Sequence, residues 1–184
     1  DPDAAMAKVS QAISKECAAN KLTHPKISIE PGRAISGPTT TTLYEVGTTK
    51  HIELDDGQVR NYISVDGGMS DNIRTGLYGA KYMALLASRS SNQSEIQSRL
   101  VGKHCETGDI IIRDLTFPSD VKPGDLIATP ATGAYGRSMA NNYNHMPRPA
   151  VVAVKDGTAR VIVRRETTSD LLALDVSEVG RELK

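Results

Sequence analysis

At 184 residues, with 39% hydrophobic and 24% charged positions, the chain has the composition of a soluble globular protein. It is long enough for one ordinary domain or a small domain plus part of another. Its 22 basic residues balance 22 acidic ones, so no net field draws it to nucleic acid or a membrane surface, and no apolar run nears the roughly 20 residues of a membrane span.

No signal-peptide pattern opens the chain. The two cysteines, Cys17 and Cys105, lie far apart and form no secreted disulfide framework; they fit a reducing cytoplasm. The first twenty residues read as an amphipathic helix, because Met6, Val9, Ile13 and Cys17 recur at spacings of three and four. Asp3 reads as its N-cap and Cys17 as core. The apolar stripe needs a partner that one helix and one strand do not supply. The sequence is therefore expected to be the C-terminal piece of a longer protein.

"KISIEPGR" reads as a short strand, with Ile27 and Ile29 alternating, ending in a Pro-Gly turn. Helix, loop, strand and functional-looking loop give the rhythm of an α/β layer or barrel. From residue 38 the texture changes. "TTTTLYEVGTTKHIEL" and "QVRNYISVDGG" are β-prone runs joined by "DDG", a hairpin signal. "KYMALLAS", "DIIIRDL", "DLIATPA", "AVVAVK" and "ARVIVRRE" continue the strand series, with turns at "KPGD" and "KDGT". "SRSSNQSEIQSR" reads as a polar surface loop, and "TTSDLLALDV" as a capped terminal helix or last strand. The expected organisation is α/β followed by all-β: residues 1–37 as the end of an α/β barrel, and residues 38–184 as a β-barrel or sandwich domain.

Four motifs carry titratable or ligand-binding side chains. In "IEPGRAISGP", Glu30, Gly32 and Arg33 occupy a tight turn after a strand. Such a turn lets backbone amides approach an anion and lets Arg33 grip a carboxylate or phosphate with two donors; an ordinary turn with a surface ion pair fits equally. "SVDGGMSDNIRTGLYGA" is too rich in glycine for a regular element and either wraps a ligand or merely connects strands. Within it Arg74 and Tyr78, four apart, share a face if that piece is helical. "VGKHCETGDIII" holds His104, Cys105, Glu106 and Asp109. The strand period puts His104 and Cys105 on opposite faces, which argues against a thiol–imidazole pair. No second Cys or His stands at zinc-ligand spacing. Cys105 remains either a proton donor or a small buried hydrophobe. In "ATGAYGRSMANNYNHMPRPA", Tyr135 between small residues either presents its ring and hydroxyl to a flat ligand or packs.

The order of these motifs, "EPGR", "VDGGMSDNIR..LYGA", "GKHCETGD" and "GAYGRSMANNYN..PRP", resembles the meso-diaminopimelate decarboxylases from about Ile27 to Val176. These are pyridoxal-phosphate enzymes of bacterial lysine synthesis. Thr107 stands where the family usually has Ser. The resemblance implies the C-terminal end of an alanine-racemase-like (β/α)8 barrel followed by a β-domain. It also implies that the cofactor-bearing lysine, the cofactor-stacking histidine and the glycine-rich phosphate loop lie upstream, so that this chain alone would be inactive. It assigns Glu30, Pro31, Gly32, Arg33 and Tyr135 to the pyridoxal 5'-phosphate cofactor, and Arg33, Arg74, Tyr78, Glu106 and Tyr135 to substrate. Cys105 becomes the catalytic proton donor, and no metal is implied. A cytoplasmic homodimer follows in which Cys105 and Glu106 reach into the neighbouring subunit's site, with the upstream barrel half of the same protein as a further partner and neither nucleic acid nor membrane involved. The alternatives are a sister decarboxylase of ornithine or arginine, or a catalytically incomplete dimerisation fragment.

Overall fold

The computed structural model describes residues 1–176. It divides into two compact units, Asp1–Pro31 and Gly32 onwards.

The first unit is built on helix α1, Pro2–Ala19. Asp1, not Asp3, is its N-cap: the Asp1 carboxylate accepts from the Asp3 backbone N–H at 2.9 Å. Pro2 then takes the first helical position, where its fixed φ suits a helix and its missing N–H leaves nothing unsatisfied. Asp3 instead places its charge in the first turn, where the helix dipole favours it. At the other end the Asn20 side-chain amide donates to the Glu16 carbonyl at 2.9 Å. No residue of α1 is buried. Met6 and Val9 are exposed, and Cys17, expected in a core, is only half-buried. Residues 27–29 form no strand. A strand exists by hydrogen bonding to a neighbour, and this unit offers α1 and no second extended segment.

The second unit opens with a single helical turn, α2 (Arg33–Ser36), and a short 3-10 turn, Gly37–Thr39. A six-stranded sheet follows: β1 (Thr41–Glu53), β2 (Val59–Val65), β3 (Leu85–Leu86), β4 (Glu95–Val101), β5 (Ile110–Pro118) and β6 (Leu126–Pro130). Their order is β3-β6-β1-β2-β4-β5, antiparallel except for the parallel β2–β4 pair. β1 serves two neighbours in turn. Thr41–Glu45 pair with β6 and Val46–Glu53 with β2, and the register shifts between Val46 and Thr48. That irregularity at Gly47 lets one strand curl from one half of the sheet to the other. The core lies on the inner face, where Tyr44, Val46, Ile63, Val65, Leu100, Ile111, Phe117 and Ile127 are buried. Each of the large side chains contributes roughly 1.5–3 kcal/mol by leaving water.

Two strand expectations change. "SRSSNQSEIQSR" is only partly a loop, because from Glu95 it becomes β4 in the sheet interior. Its inward positions alternate as Ile96, Ser98 and Leu100, and Ser98 is buried with its hydroxyl donating to the Ile96 carbonyl at 3.0 Å. In "KYMALLAS" only Leu85 and Leu86 pair, against Ala128 and Ile127.

A separate hairpin, β7 (Val151–Lys155) and β8 (Thr158–Val163), turns on Asp156 and Gly157, both with positive φ. That is the mirror-image turn that matches strand twist. Short helices α3 (Arg74–Tyr78), α4 (Gly136–Met139) and α5 (Thr168–Leu171) occupy the connections. α5 carries a reciprocal capping box between Thr167 and Asp170. Among the described residues no helix is long and apolar enough to cross a membrane.

Candidate active site

Two loops leave the sheet close together, 66–73 after β2 and 102–109 between β4 and β5, and a single carboxylate ties them. Asp109, almost wholly buried, accepts from the Met69 backbone N–H at 2.6 Å and the His104 backbone N–H at 2.7 Å. It also meets His104 Nδ1 at 3.0 Å. The approach is so close that residue 68 has to be glycine. A Cβ there would stand 2.5 Å from Asp109 Oδ1 and 2.7 Å from His104 Nδ1, and φ is +154°. A second carboxylate, Asp71, pins the same loop to the sheet. It accepts from the Tyr44 hydroxyl at 2.5 Å and the Gly68 N–H at 2.6 Å. Burial pushes the Tyr44 hydroxyl well above the ordinary phenol range and raises Asp71 as well, while the bond from Tyr44 works against that rise at Asp71.

This scaffold sets His104 inward and leaves Cys105 exposed. The His104 side chain has no exposure, and its Nε2 is buried without a hydrogen-bond partner. Next to Cys105, Glu106 accepts a short hydrogen bond from the Tyr143 hydroxyl. The Tyr143 ring lies 6.0 Å from that of His104, tilted by 32°. The bond to Glu106, then burial, then the charges of Glu106 and Cys105 push the Tyr143 hydroxyl upward, so it stays protonated and donates.

Arg74, Tyr78 and Tyr135 form a second group. α3 holds Arg74 and Tyr78 one turn apart, and the Arg74 guanidinium sits 5.2 Å from the Tyr78 ring centre and 5.8 Å from that of Tyr135. The Thr75 hydroxyl fixes α3 to the sheet by donating to the Ile111 carbonyl at 2.7 Å. Tyr135 is placed by the exit from β6. Gly133 N–H donates to the Gly37 carbonyl at 3.1 Å, so close to α2 and its 3-10 turn that a Cβ at 133 would run into the Ser36 carbonyl. The Tyr135 hydroxyl then lies 3.3 Å from where a Cβ on Gly32 would stand. Arg74 Nε is buried with no partner, and neither Arg33 nor Arg74 has an ion-pair partner among the described residues. Both rings remain largely open, Tyr78 at 65% and Tyr135 at 48% exposure.

The residues singled out from the sequence thus fall into two sets. Gly32, Arg33, Arg74, Tyr78 and Tyr135 belong to the region around α2 and α3, and Cys105 and Glu106 to the 102–109 loop. Among the described residues no hydrogen bond, ion pair or ring contact joins the sets. Glu30 and Pro31 belong to the first unit and are exposed. Sequence reasoning did not single out Tyr143 or the buried bond between His104 and Asp109. Asp109 was visible as a titratable neighbour of Cys105. Tyr143 stood inside a quoted motif, but its partner is 37 positions away. Among the described residues no group of three or more His, Cys, Asp or Glu is placed to hold a metal.

Comparison with known families places the sheet in the class of decarboxylase C-terminal sheet domains. Residues 35–133 match the model of the pyridoxal-dependent decarboxylase C-terminal sheet domain, and the chain belongs to that family. It is 56% identical over 170 residues to the diaminopimelate decarboxylase of Mycobacterium tuberculosis, covering 92% of this chain and 38% of that protein. The chain therefore spans about two fifths of the length of the relatives it matches. The crystal structure of diaminopimelate decarboxylase from Helicobacter pylori complexed with L-lysine superposes with a TM-score of 0.69 at 35% identity, covering 79% of this chain and 34% of that one. The lysine/ornithine decarboxylase of Vibrio vulnificus complexed with cadaverine is more distant, with a TM-score of 0.53 at 26% identity over 65% of this chain and 31% of that one.

The residues present fit part of a pyridoxal-phosphate site. Arg33, free of carboxylates, and the open ring of Tyr135 suit an anionic aromatic group.

Proposed function

We propose that this chain is the C-terminal part of a pyridoxal-phosphate-dependent decarboxylase that converts meso-2,6-diaminopimelate to L-lysine and carbon dioxide. The observation that carries this reading is the 56% identity, over 92% of the chain, with a relative named for diaminopimelate decarboxylation. The two carboxylate-free arginines support it. Diaminopimelate differs from simpler basic amino acids in carrying a second amino-acid head, whose carboxylate Arg33 and Arg74 suit and whose ammonium Glu106 suits. A substrate without that head would leave those charges unpaired, which is how such a site selects.

When bound, pyridoxal phosphate supplies the electron sink for the bond broken at the reacting carbon. Gly32, Arg33 and Tyr135 would hold it. Arg33, Arg74 and Tyr78, with Tyr135 beside them, orient the substrate. As the carbon–carbon bond breaks, carbon dioxide departs and the bonding pair stays behind. The Cys105 thiol then gives its proton to that carbon, leaving a thiolate for solvent to reprotonate. Exposure of Cys105 beside Glu106, apart from the Arg74 group, supports a site assembled from two subunits of a homodimer. In it Cys105 and Glu106 serve the neighbour, and the upstream barrel half completes each subunit. Both cysteines are free, in keeping with a reducing cytoplasm.

The test is the complete enzyme with pyridoxal phosphate, given diaminopimelate and ornithine in parallel while carbon dioxide and product are followed. Lysine formed at the higher kcat/KM supports the reading. Preferential turnover of ornithine would assign the chain to the sister activity.

A further inference from the structure

Glu106 is a surface carboxylate asked, under the proposed function, to read one ammonium group. A glutamate side chain free to rotate would lose that freedom on binding. The structure removes much of that freedom beforehand. The Tyr143 hydroxyl donates to Glu106 Oε1, while Oε2 takes no hydrogen bond among the described residues. Both ends of this contact are tied to one loop. On one side the Asp109 N–H donates to the Glu106 carbonyl at 3.1 Å, and the Asp109 carboxylate holds the N–H of Met69. On the other, the Tyr143 N–H donates to Asn141 Oδ1 at 3.0 Å, and the Asn141 N–H donates to the Ser70 carbonyl at 2.8 Å. Met69 and Ser70 are neighbours. The hydroxyl and the carboxylate it holds are thus closed into a ring of tethers through residues 69–70, 109 and 141. The inward face of the Tyr143 ring is backed by the buried His104 imidazole.

We propose that Tyr143 is a positioning residue for substrate selection: it holds Glu106 by Oε1 and so turns Oε2 toward the distal ammonium of the substrate. This role rests on the proposed function, and Tyr143 itself touches no reacting atom. A phenol is protonated at neutral pH, and the bond to Glu106 raises its pKa further. Tyr143 is 41% exposed, so replacing it with Phe keeps the ring against His104 and opens no cavity.

The experiment is a double-mutant cycle in the complete enzyme with pyridoxal phosphate bound, using Tyr143→Phe, Glu106→Gln and the double variant, with kcat and KM for diaminopimelate measured separately. Tyr143→Phe raises KM about tenfold, on the scale of one hydrogen bond to a charged group, and changes kcat less. In the Glu106→Gln background the same substitution raises KM less than about twofold, because the amide, however it is held, carries no charge to meet the substrate ammonium. Cofactor absorbance and thermal melting of each variant verify that the site is formed. A KM unchanged in Tyr143→Phe, or losses that add in the double variant, overturns the role. If the unmodified enzyme does not turn over diaminopimelate, the proposed function falls and takes this role with it; turnover without the Tyr143 effect overturns this role alone.

Discussion

Replacing Asp109 with Ala should loosen the two site loops together. Three N–H groups converge on this carboxylate: the backbone amides of Met69 and His104 at 2.6 and 2.7 Å, and His104 Nδ1 at 3.0 Å. Hydrogen bonds to a charged acceptor contribute about 1.5–3 kcal/mol each, and buried donors left unpaired add a desolvation penalty. The three share one acceptor and are not additive, so the local loss is on the order of 3–5 kcal/mol, as for breaking a buried charged pair. At about 1.4 kcal/mol per tenfold, that is opening faster by roughly 10²-fold to about 4 × 10³-fold. Hydrogen exchange followed by mass spectrometry on the complete enzyme reads this directly. Peptides covering residues 66–73 and 101–110 should exchange faster by that factor, while peptides from β1 and β6 change little. Acceleration of less than about threefold in the two loops, or uniform acceleration everywhere, would refute the claim that Asp109 is their shared anchor.

Gly68→Ala should act on the same anchor from the other side, because a Cβ at φ +154° would press on Asp109 and His104. A loss of about 1–3 kcal/mol in denaturant unfolding is expected, and a loss below about 0.5 kcal/mol would contradict it. The Arg148–Glu166 pair gives a pH signature. Hydrogen bonds from Arg148 hold the Glu166 carboxyl at about 2, below its ordinary value near 4.3. A depressed carboxyl contributes stability above the unfolded pKa and loses it as pH falls through the folded one. The melting temperatures of the parent and Glu166→Gln should therefore differ at pH 6 and converge between about pH 4 and 2; a gap independent of pH would exclude the pair as its source.

Much of the sheet was legible because its strands announce themselves chemically. β1 and β2 are rich in Thr, Val, Ile and Tyr, and "DDG" marks their turn. β4 was hidden by Ser98, a polar residue at an inward position that satisfies itself on the Ile96 carbonyl. The run at 27–29 has strand chemistry without a pairing neighbour in its unit, and pairing is a property of the neighbour as much as of the run. Spacing alone brought Arg74 onto the face of Tyr78, a local relation that one helical turn preserves. The contacts of Tyr135 with Arg74 and of Tyr143 with Glu106 cross tens of residues. No local pattern encodes them, and motif order could group these residues but could not pair them.

The proposed two-subunit site is tested most directly by complementation. Cys105→Ala and Arg74→Ala versions of the complete enzyme are each expected to be nearly inactive: the first loses its general acid, worth about 10²–10⁴-fold, and the second leaves a substrate carboxylate without its charged partner. Mixed and re-associated, half of the dimers are hybrids, and each hybrid holds one site with an intact Arg74 and a neighbour's intact Cys105. Diaminopimelate decarboxylation should then return to about a quarter of the parent rate. A mixture no more active than its two components would place Cys105 in its own subunit's chemistry or outside the mechanism, and the account would be wrong.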